Sequence, residues 1–314
     1  MGLSYRYKDL QLPQLRSFCW VATEGTFANA AKELGLTASA VWQQVRALER
    51  LLGATLVRRR GRSVELTPDG KLLLEIIQPQ VGALDSLGKL FAARRAEQPG
   101  QLTVSSTTYL FSYHLHRPIQ QFTRSHPTVR LNLRAGMLGD ALRPVERGEA
   151  DLGVLPRDRD EPFSPHLDYE RLFDLSLLLL TSADHPLARQ KQVRPADLLE
   201  HPIILSSKAT HARKAFERIL RRHDVPVERL HAVMESDNLE MMLRYVSMGV
   251  GCAVRYLSSA AIQGVEGIKR RPFGPREEDL PIVLITRKGA HLSGPAEDFR
   301  TLVRRTLGVR RVAR

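Results

Sequence analysis

The 314-residue sequence predicts an α/β protein in two parts, a small helix-turn-helix domain carrying a basic hairpin and a larger α/β region, joined by a long helix. Three observations predict it. Within Thr37–Leu52, residues Val41, Val45, Leu48 and Leu52 recur at steps of four, three and four, which is one apolar stripe on a helix. From Thr67 to about Ala96 the apolar residues keep near-heptad spacing, enough for a helix of roughly 40 Å at ~1.5 Å per residue. Beyond Gln98-Pro99-Gly100, short apolar runs alternate with helical patterns, the sign of an α/β region with a largely parallel sheet.

Composition narrows the partners. With 47 Lys+Arg against 34 Asp+Glu the formal charge is +13, which favours nucleic acid, an acidic membrane surface or another anionic partner. The two cysteines, Cys19 and Cys252, each sit in an apolar segment, so a disulfide framework is not expected and a reducing cytoplasm fits. The N-terminus MGLSYRYKDLQLPQL lacks a secretory apolar core. The run Leu175–Leu180 is far short of the roughly 20 residues of a spanning helix. A soluble, cytoplasmic protein with no membrane partner is expected.

In chain order, Leu15, Phe18, Cys19 and Ala22 mark a first helix ended by Gly25. Thr26 caps a second, whose inner face is Phe27, Ala30, Ala31 and Leu34; the small pair lets two steeply crossing helices approach. Gly35 supplies the turn, and Thr37 caps a third helix. Its outer row holds Ala38, Ser39, Trp42, Gln43, Arg46 and Arg50, hydrogen-bonding and cationic groups with one aromatic, suited to a polyanion. Helix, glycine turn, helix is the arrangement in which the second helix enters a DNA major groove. Val57 and Val64 then flank Arg58-Arg59-Arg60-Gly61-Arg62, a hairpin tip whose arginines repel one another unless solvated or neutralised by phosphates.

The stretch QLRSFCWVATEGTFANAAKELGLTASAVWQQVRALERLLGATLVRRRGRSVELTPDG, Gln14 to Gly70, resembles the LysR-type transcriptional regulators, with nearly every core, turn and cap position matching the family pattern. The rest resembles that family's effector-binding half more loosely. The resemblance implies a winged helix-turn-helix DNA-binding domain over 1–67 and a dimerisation linker helix over 68–97. It further implies a two-lobed, periplasmic-binding-protein-like effector domain over 98–314, with lobe I about 98–162 and 268–314 and lobe II about 163–267. Carried onto this chain, the family's base-reading positions are Ala38, Ser39, Trp42 and Gln43, beside the cap Thr37 and with Arg46 on phosphate; Arg58, Arg60 and Arg62 form the wing contact. The partners implied are double-stranded operator DNA, a small-molecule effector and a second copy, as homodimer or homotetramer, with RNA polymerase contact compatible with that role. The likeness is closest to the sulfur-assimilation branch, which makes a small anion or a sulfur-containing metabolite the expected effector.

Trp42 departs from the family, which usually has serine there. Its indole offers an apolar plate for sugar or a thymine methyl, or folds back onto the first helix as packing. Gln43 can pair bidentately with adenine, worth roughly 1–3 kcal/mol of discrimination. In the linker, Leu74, Ile77, Val81, Leu84 and Phe91 are the expected dimer face, and the interior Pro79 predicts a kink or break near Ile76–Pro79.

Two hydroxyl clusters stand between a strand and a helix, Ser106, Thr107 and Thr108 after Ser105, and Ser206, Ser207 and Thr210; helix N-termini there favour an anion. Taken singly each residue reads as a cap; taken together they suggest one effector site. No cofactor is expected, because Gly249-Val250-Gly251 follows a helix and lacks the third glycine of a dinucleotide loop. His114 and His116 have no companion ligands for a metal, and Asp184-His185-Pro186 reads as a turn. No convergent nucleophile and base supports an enzyme. A ligand-independent architectural DNA protein remains the alternative, but it leaves the α/β region without a role.

Overall fold

The computed structural model describes residues 10–61, 63–94, 100–136, 138–158, 161–258, 261 and 265–308. Arg62, the boundary residues Gln98 and Pro99, and the tail beyond 308 lie outside them. Three helices open the chain, α1 (Leu12–Glu24), α2 (Phe27–Leu34) and α3 (Ala38–Leu52), followed by the hairpin strands β1 (Val57–Arg60) and β2 (Ser63–Leu66). The hydroxyls of Thr26 and Thr37 accept from the N–H groups of Asn29 and Ala40 and so start α2 and α3. Gly35, at φ 64°, ends α2 in the left-handed conformation that the tight turn into α3 demands. Phe18, Val21, Ala30, Val41, Val45 and Leu48 form the buried centre of this unit.

Helix α4 (Pro68–Arg94) runs unbroken through Pro79, so the expected break is not found. Proline removes one hydrogen bond, but packing holds the helix at that point. The turn at Gly289 lies directly on it, where an added Cβ would fall 2.3 Å from the Pro79 Cα. The expected dimer face is corrected in part. Leu74, Ile77 and Val81 point inward and complete the core of the helix-turn-helix unit. Leu84 and Phe91 of the expected face are exposed, as are Leu72, Ile76 and Leu87. Near-heptad spacing occurs on both faces of α4, and spacing alone does not say which face meets its own domain.

The α/β region begins with β3 (Gln101–Thr107), then a helical run of α5 (Thr108–Leu110), a π-helical turn over Phe111–Leu115 and α6 (His116–Ser125). It continues with β4 (Arg130–Gly136), α7 (Leu138–Glu146), β5 (Leu152–Pro156), β6 (Leu167–Ser182), α8 (Pro186–Arg189), β7 (Ile203–Leu205) and α9 (His211–Arg222). Then come β8 (Ala232–Glu235), α10 (Leu239–Ser247), β9 (Cys252–Leu257), β10 (Ile268–Pro272), β11 (Leu280–Arg287) and α11 (Gly294–Leu307).

One sheet, in the order β4-β3-β5-β11-β6-β9-β7-β8 with β10 also on β6, spans both lobes. Strand β6 is its spine: residues 167–175 pair with β11 in lobe I, and residues 176–182 pair with β9 and β10 in lobe II. The lobe boundaries therefore shift from those expected. The segment 167–175 belongs to lobe I and β10 to lobe II. The sheet is also mixed rather than largely parallel, because the outer strands of each lobe pair in parallel while the crossing strands β6 and β11 run against their neighbours. The first half of β6 reads poorly as a strand, since Asp168, Arg171 and Asp174 alternate with buried Leu167 and Leu172.

The DNA-side unit and lobe I meet along α4. Gln78 Nε2 lies 2.6 Å from His166 Nδ1, and the His166 ring stacks on Trp20. Asp85 accepts from Arg16 at 2.5 Å and sits 3.6 Å from Arg287, while Arg147 of lobe I bonds Glu33 of α2 at 2.5 Å.

Candidate DNA interface and effector cleft

The outer row of α3 is open. Thr37, Ala38, Ser39, Trp42, Gln43, Arg46 and Arg50 are all exposed, while Val41, Val45 and Leu48 are sealed beneath them. Among the described residues no intramolecular hydrogen bond occupies Ser39 or Gln43, whereas the Thr37 hydroxyl is already used as the cap. Gln44, one step round the helix, faces inward and accepts from Ser17 Oγ. Trp42 is 43% exposed, with the Arg46 guanidinium 5.5 Å from its ring centre.

Glu49 is the residue that sequence reasoning missed. Its carboxylate is nearly buried; Oε2 accepts from Arg46 Nη1 at 2.6 Å, and Oε1 accepts from the N–H groups of Leu56 at 2.8 Å and Val57 at 3.2 Å. One carboxylate thus ties α3 to the first residues of the wing. The signal was an acid at the inward edge of an otherwise basic row. On the wing, Arg58 and Arg59 are exposed, and Arg60 pairs with Glu65 at 2.6 Å across the hairpin.

Between the lobes lies a cavity of about 480 Å³. Of the expected effector residues it is lined by Thr107, Thr108 and Thr210. Ser106, Ser206 and Ser207 do not line it. The Thr107 and Thr210 hydroxyls cap their helices, accepting from the N–H groups of Leu110 at 3.3 Å and Arg213 at 3.2 Å, and Thr210 also donates to the Ser207 carbonyl at 2.9 Å. Ser106 Oγ donates to the Val154 carbonyl at 2.6 Å, and Ser207 Oγ donates to Asp237 at 2.6 Å. Ser206 Oγ accepts from Arg255 Nη1 at 2.7 Å. Arg255, from β9, is the cavity residue that the sequence did not single out. Burial lowers its pKa, and neighbouring Asp237 and Tyr109 act in the opposite direction. A guanidinium keeps its charge even so, and burial strengthens its pull on an anion.

The rest of the wall is largely apolar by area, with Leu175, Leu280, Ile282 and Tyr256, and it also carries Lys214 and the carboxylates of Glu161 and Asp237. Across its mouth the Tyr109 hydroxyl of lobe I accepts from the Ser258 N–H of lobe II at 2.9 Å. His211 also lines it, its pKa lowered by burial, and His114 beneath stacks on Phe173 with its pKa pushed down to about 4 by burial and by His116. Cys19 and Cys252 are both pushed up to about 12, mainly by burial, and belong to separate cores, so neither is a ready nucleophile. Among the described residues no group of acids, histidines and cysteines has the arrangement of a metal site, and no helix is long and apolar enough to cross a membrane.

A winged helix-turn-helix joined to two α/β lobes with a cavity between them defines a ligand-responsive DNA-binding regulator. Residues 12–71 match the family model "Bacterial regulatory helix-turn-helix protein, lysR family", and residues 95–308 match "LysR substrate binding domain". The chain belongs to the LysR family of transcriptional regulators.

It is 31% identical over 263 residues to the RuBisCO operon transcriptional regulator of Acidithiobacillus ferrooxidans, covering 83% of this chain and 81% of that protein. It is 25% identical over 260 residues to the HTH-type transcriptional activator CmpR of Synechocystis sp., covering 83% of each. Neither name comes from sulfur assimilation, so the sulfur-containing effector gains no support from them. Full-length BenM shares the fold at a TM-score of 0.55 and 22% identity, covering 94% of this chain and 96% of that one. Full-length CbnR, a LysR family transcriptional regulator, does so at 0.51 and 20%, covering 94% and 100%.

Proposed function

We propose that this regulator reads operator DNA with the row Ala38, Ser39, Trp42 and Gln43, supported by Arg46 and with Arg58 and Arg60 of the wing on the backbone, and that a small anion with an apolar body controls it from the inter-lobe cavity. Arg255 takes the anionic group, the hydroxyls of Thr107 and Thr108 orient it, Thr210 forms part of the wall, and Leu175, Leu280 and Ile282 hold the body. The observation that carries this reading is the guanidinium of Arg255 on the wall of an otherwise largely apolar cavity between the lobes, in a chain whose recognition row is left open. An architectural role offers no use for that cavity, and no catalytic role is proposed.

Lobe I meets the DNA side through Arg147–Glu33, Arg287–Asp85 and His166–Gln78, which supplies a physical route from lobe closure to the recognition helix. The effector must bind one lobe arrangement better than the other to use it. The exposed side of α4, Leu72, Ile76, Leu84, Leu87 and Phe91, is the surface for a second copy, and the assembly acts in the cytoplasm.

Footprinting of the full chain on DNA flanking its own gene, with a panel of small carboxylates and phosphates, tests the reading. At least one anion should change the protected pattern and raise the thermal midpoint, and Arg255→Leu should abolish both responses while leaving basal protection intact. Protection that no panel member alters would remove the effector part, and no protection would remove the whole.

A further inference from the structure

Recognition helices reach base edges with polar side chains, and a tryptophan in that row has only one hydrogen-bond donor to offer. Trp42 occupies the middle of the row, one helical turn after Ser39 and one before Arg46, with 43% of its surface in solvent. It is not loose. Arg46 lies over its ring at 5.5 Å from the centroid and is itself held by Glu49 at 2.6 Å. Glu49 in turn grips the backbone N–H groups of Leu56 and Val57, where the wing begins. The indole is therefore braced from behind, through Arg46 and Glu49, against the same backbone that positions the wing.

An apolar plate presented to a major groove has one apolar target there, the C5-methyl group of thymine; every other base-edge group in that groove is a donor or an acceptor. We infer that Trp42 reads thymine through its methyl group, and that Arg46 and Glu49 act as positioning residues that hold the indole in register with the wing. This rests on α3 being the helix that enters the groove. Gln43 beside it is free to read a neighbouring base by hydrogen bonds, so the two adjacent residues read by different chemistry.

The prediction isolates a single methyl group, because uracil differs from thymine only by its absence. Burial of one such group is worth about fourfold in affinity. The full chain is first used to select preferred duplexes from a random-sequence library, and each thymine in the selected site is then replaced singly by deoxyuridine. Wild type should lose about fourfold at one thymine per half-site. Trp42→Phe, which keeps an aromatic plate, should retain part of that sensitivity, and Trp42→Ser should lose it while binding the thymine and uracil duplexes equally.

A flat uracil scan for wild type would overturn the inference, as would a Trp42→Ser variant that keeps the wild-type scan. If Trp42→Ser bound no duplex, Trp42→Phe would decide: sensitivity at the same thymine supports the inference and its absence overturns it. Failure to select any sequence would instead remove α3 as the recognition helix, a result distinct from selection followed by a flat scan. Glu49→Gln serves as the positioning control. It should keep the preferred sequence but blunt the uracil penalty at the Trp42 thymine, because Arg46 loses its charged partner; an unchanged penalty would remove Glu49 from the proposal.

Discussion

The recognition face and the inter-lobe cleft use their polar side chains in opposite ways. On α3 the row Ser39, Trp42, Gln43 and Arg46 stands in solvent, and the hydrogen bonding that secures it comes from behind, through Glu49. In the cleft five of the six expected hydroxyls are already engaged: Ser106 with a carbonyl of β5, Ser206 with Arg255, Ser207 with Asp237, and Thr107 and Thr210 as the caps of their helices. A helix surface is set by one periodicity, so its outer face can be left open for a partner. A cleft between two lobes is built from several strand ends, and each end must satisfy its own backbone before anything remains for a ligand.

The largest effect should come from cutting the support behind the open face. Glu49→Ala leaves the buried N–H groups of Leu56 and Val57 without their acceptor and frees Arg46. At about 1–3 kcal/mol for each orphaned group, the chain should lose roughly 2–6 kcal/mol of stability in denaturant unfolding, together with operator affinity. Glu49→Gln keeps an acceptor and should recover most of the stability. If alanine and glutamine were equally mild, the carboxylate would not be the brace between α3 and the wing.

Within the cleft the same logic separates hydroxyls by what they do. Ser106→Ala removes a fully buried donor from the Val154 carbonyl and should cost about 1–3 kcal/mol without selectively weakening the ligand. Thr108→Ala should do the reverse, leaving stability within about 0.5 kcal/mol of wild type and lowering the ligand-induced rise in thermal midpoint. Paired unfolding and ligand-titration measurements would collapse the distinction if both variants fell on one line.

That difference also explains what was legible from residue order. Helix α3 with its caps at Thr37 and Gly53 follows from a stripe that needs no tertiary information, and so does the exposure of Gln43, whereas the sequence left the indole of Trp42 open between solvent and the first helix. The face of α4 that meets its own domain does not, because Leu74-Ile77-Val81 and Leu72-Ile76-Leu87 have equally apolar spacings and only folding chooses between them. The cleft was legible as a pair of strand-to-helix hydroxyl clusters but not as a site. Arg255 reaches it from β9, and Ser206 and Ser207 are withdrawn by Arg255 and Asp237, partners distant in sequence. Strand β6 was half hidden for a related reason, since its lobe I half carries charges on the side facing solvent.

Acid should affect the packing behind Tyr109 of the cleft and the junction with the DNA side alike. His114 and His166 are each pushed down to about 4, mainly by burial, with His116 and Lys288 adding to the shift. A histidine whose folded pKa lies below its unfolded value of 6.5 binds fewer protons in the folded state. Its stabilising share is therefore present above pH 6.5 and is lost as pH falls from there to about 4. Unfolding curves at stepped pH should show that decline, and His114→Phe and His166→Phe should each flatten part of it. Variants that decline as steeply as wild type would assign the acid sensitivity to carboxylates instead.

The smallest effect distinguishes the two regions by long-range charge alone. Each phosphate neutralised contributes about 0.9 to the slope of log affinity against log salt. Arg58, exposed on the wing with no ion pair among the described residues, should lower that slope by about this amount when changed to alanine. Arg60 is already engaged by Glu65 at 2.6 Å, so Arg60→Ala should lower it by less. Arg255→Leu should leave it unchanged, because a guanidinium committed to Ser206 inside the cleft neutralises no phosphate. Equal slopes for the Arg58 and Arg60 variants would mean that DNA pulls Arg60 away from Glu65, and a reduced slope for Arg255→Leu would mean that the cleft lies against DNA and is no separate site.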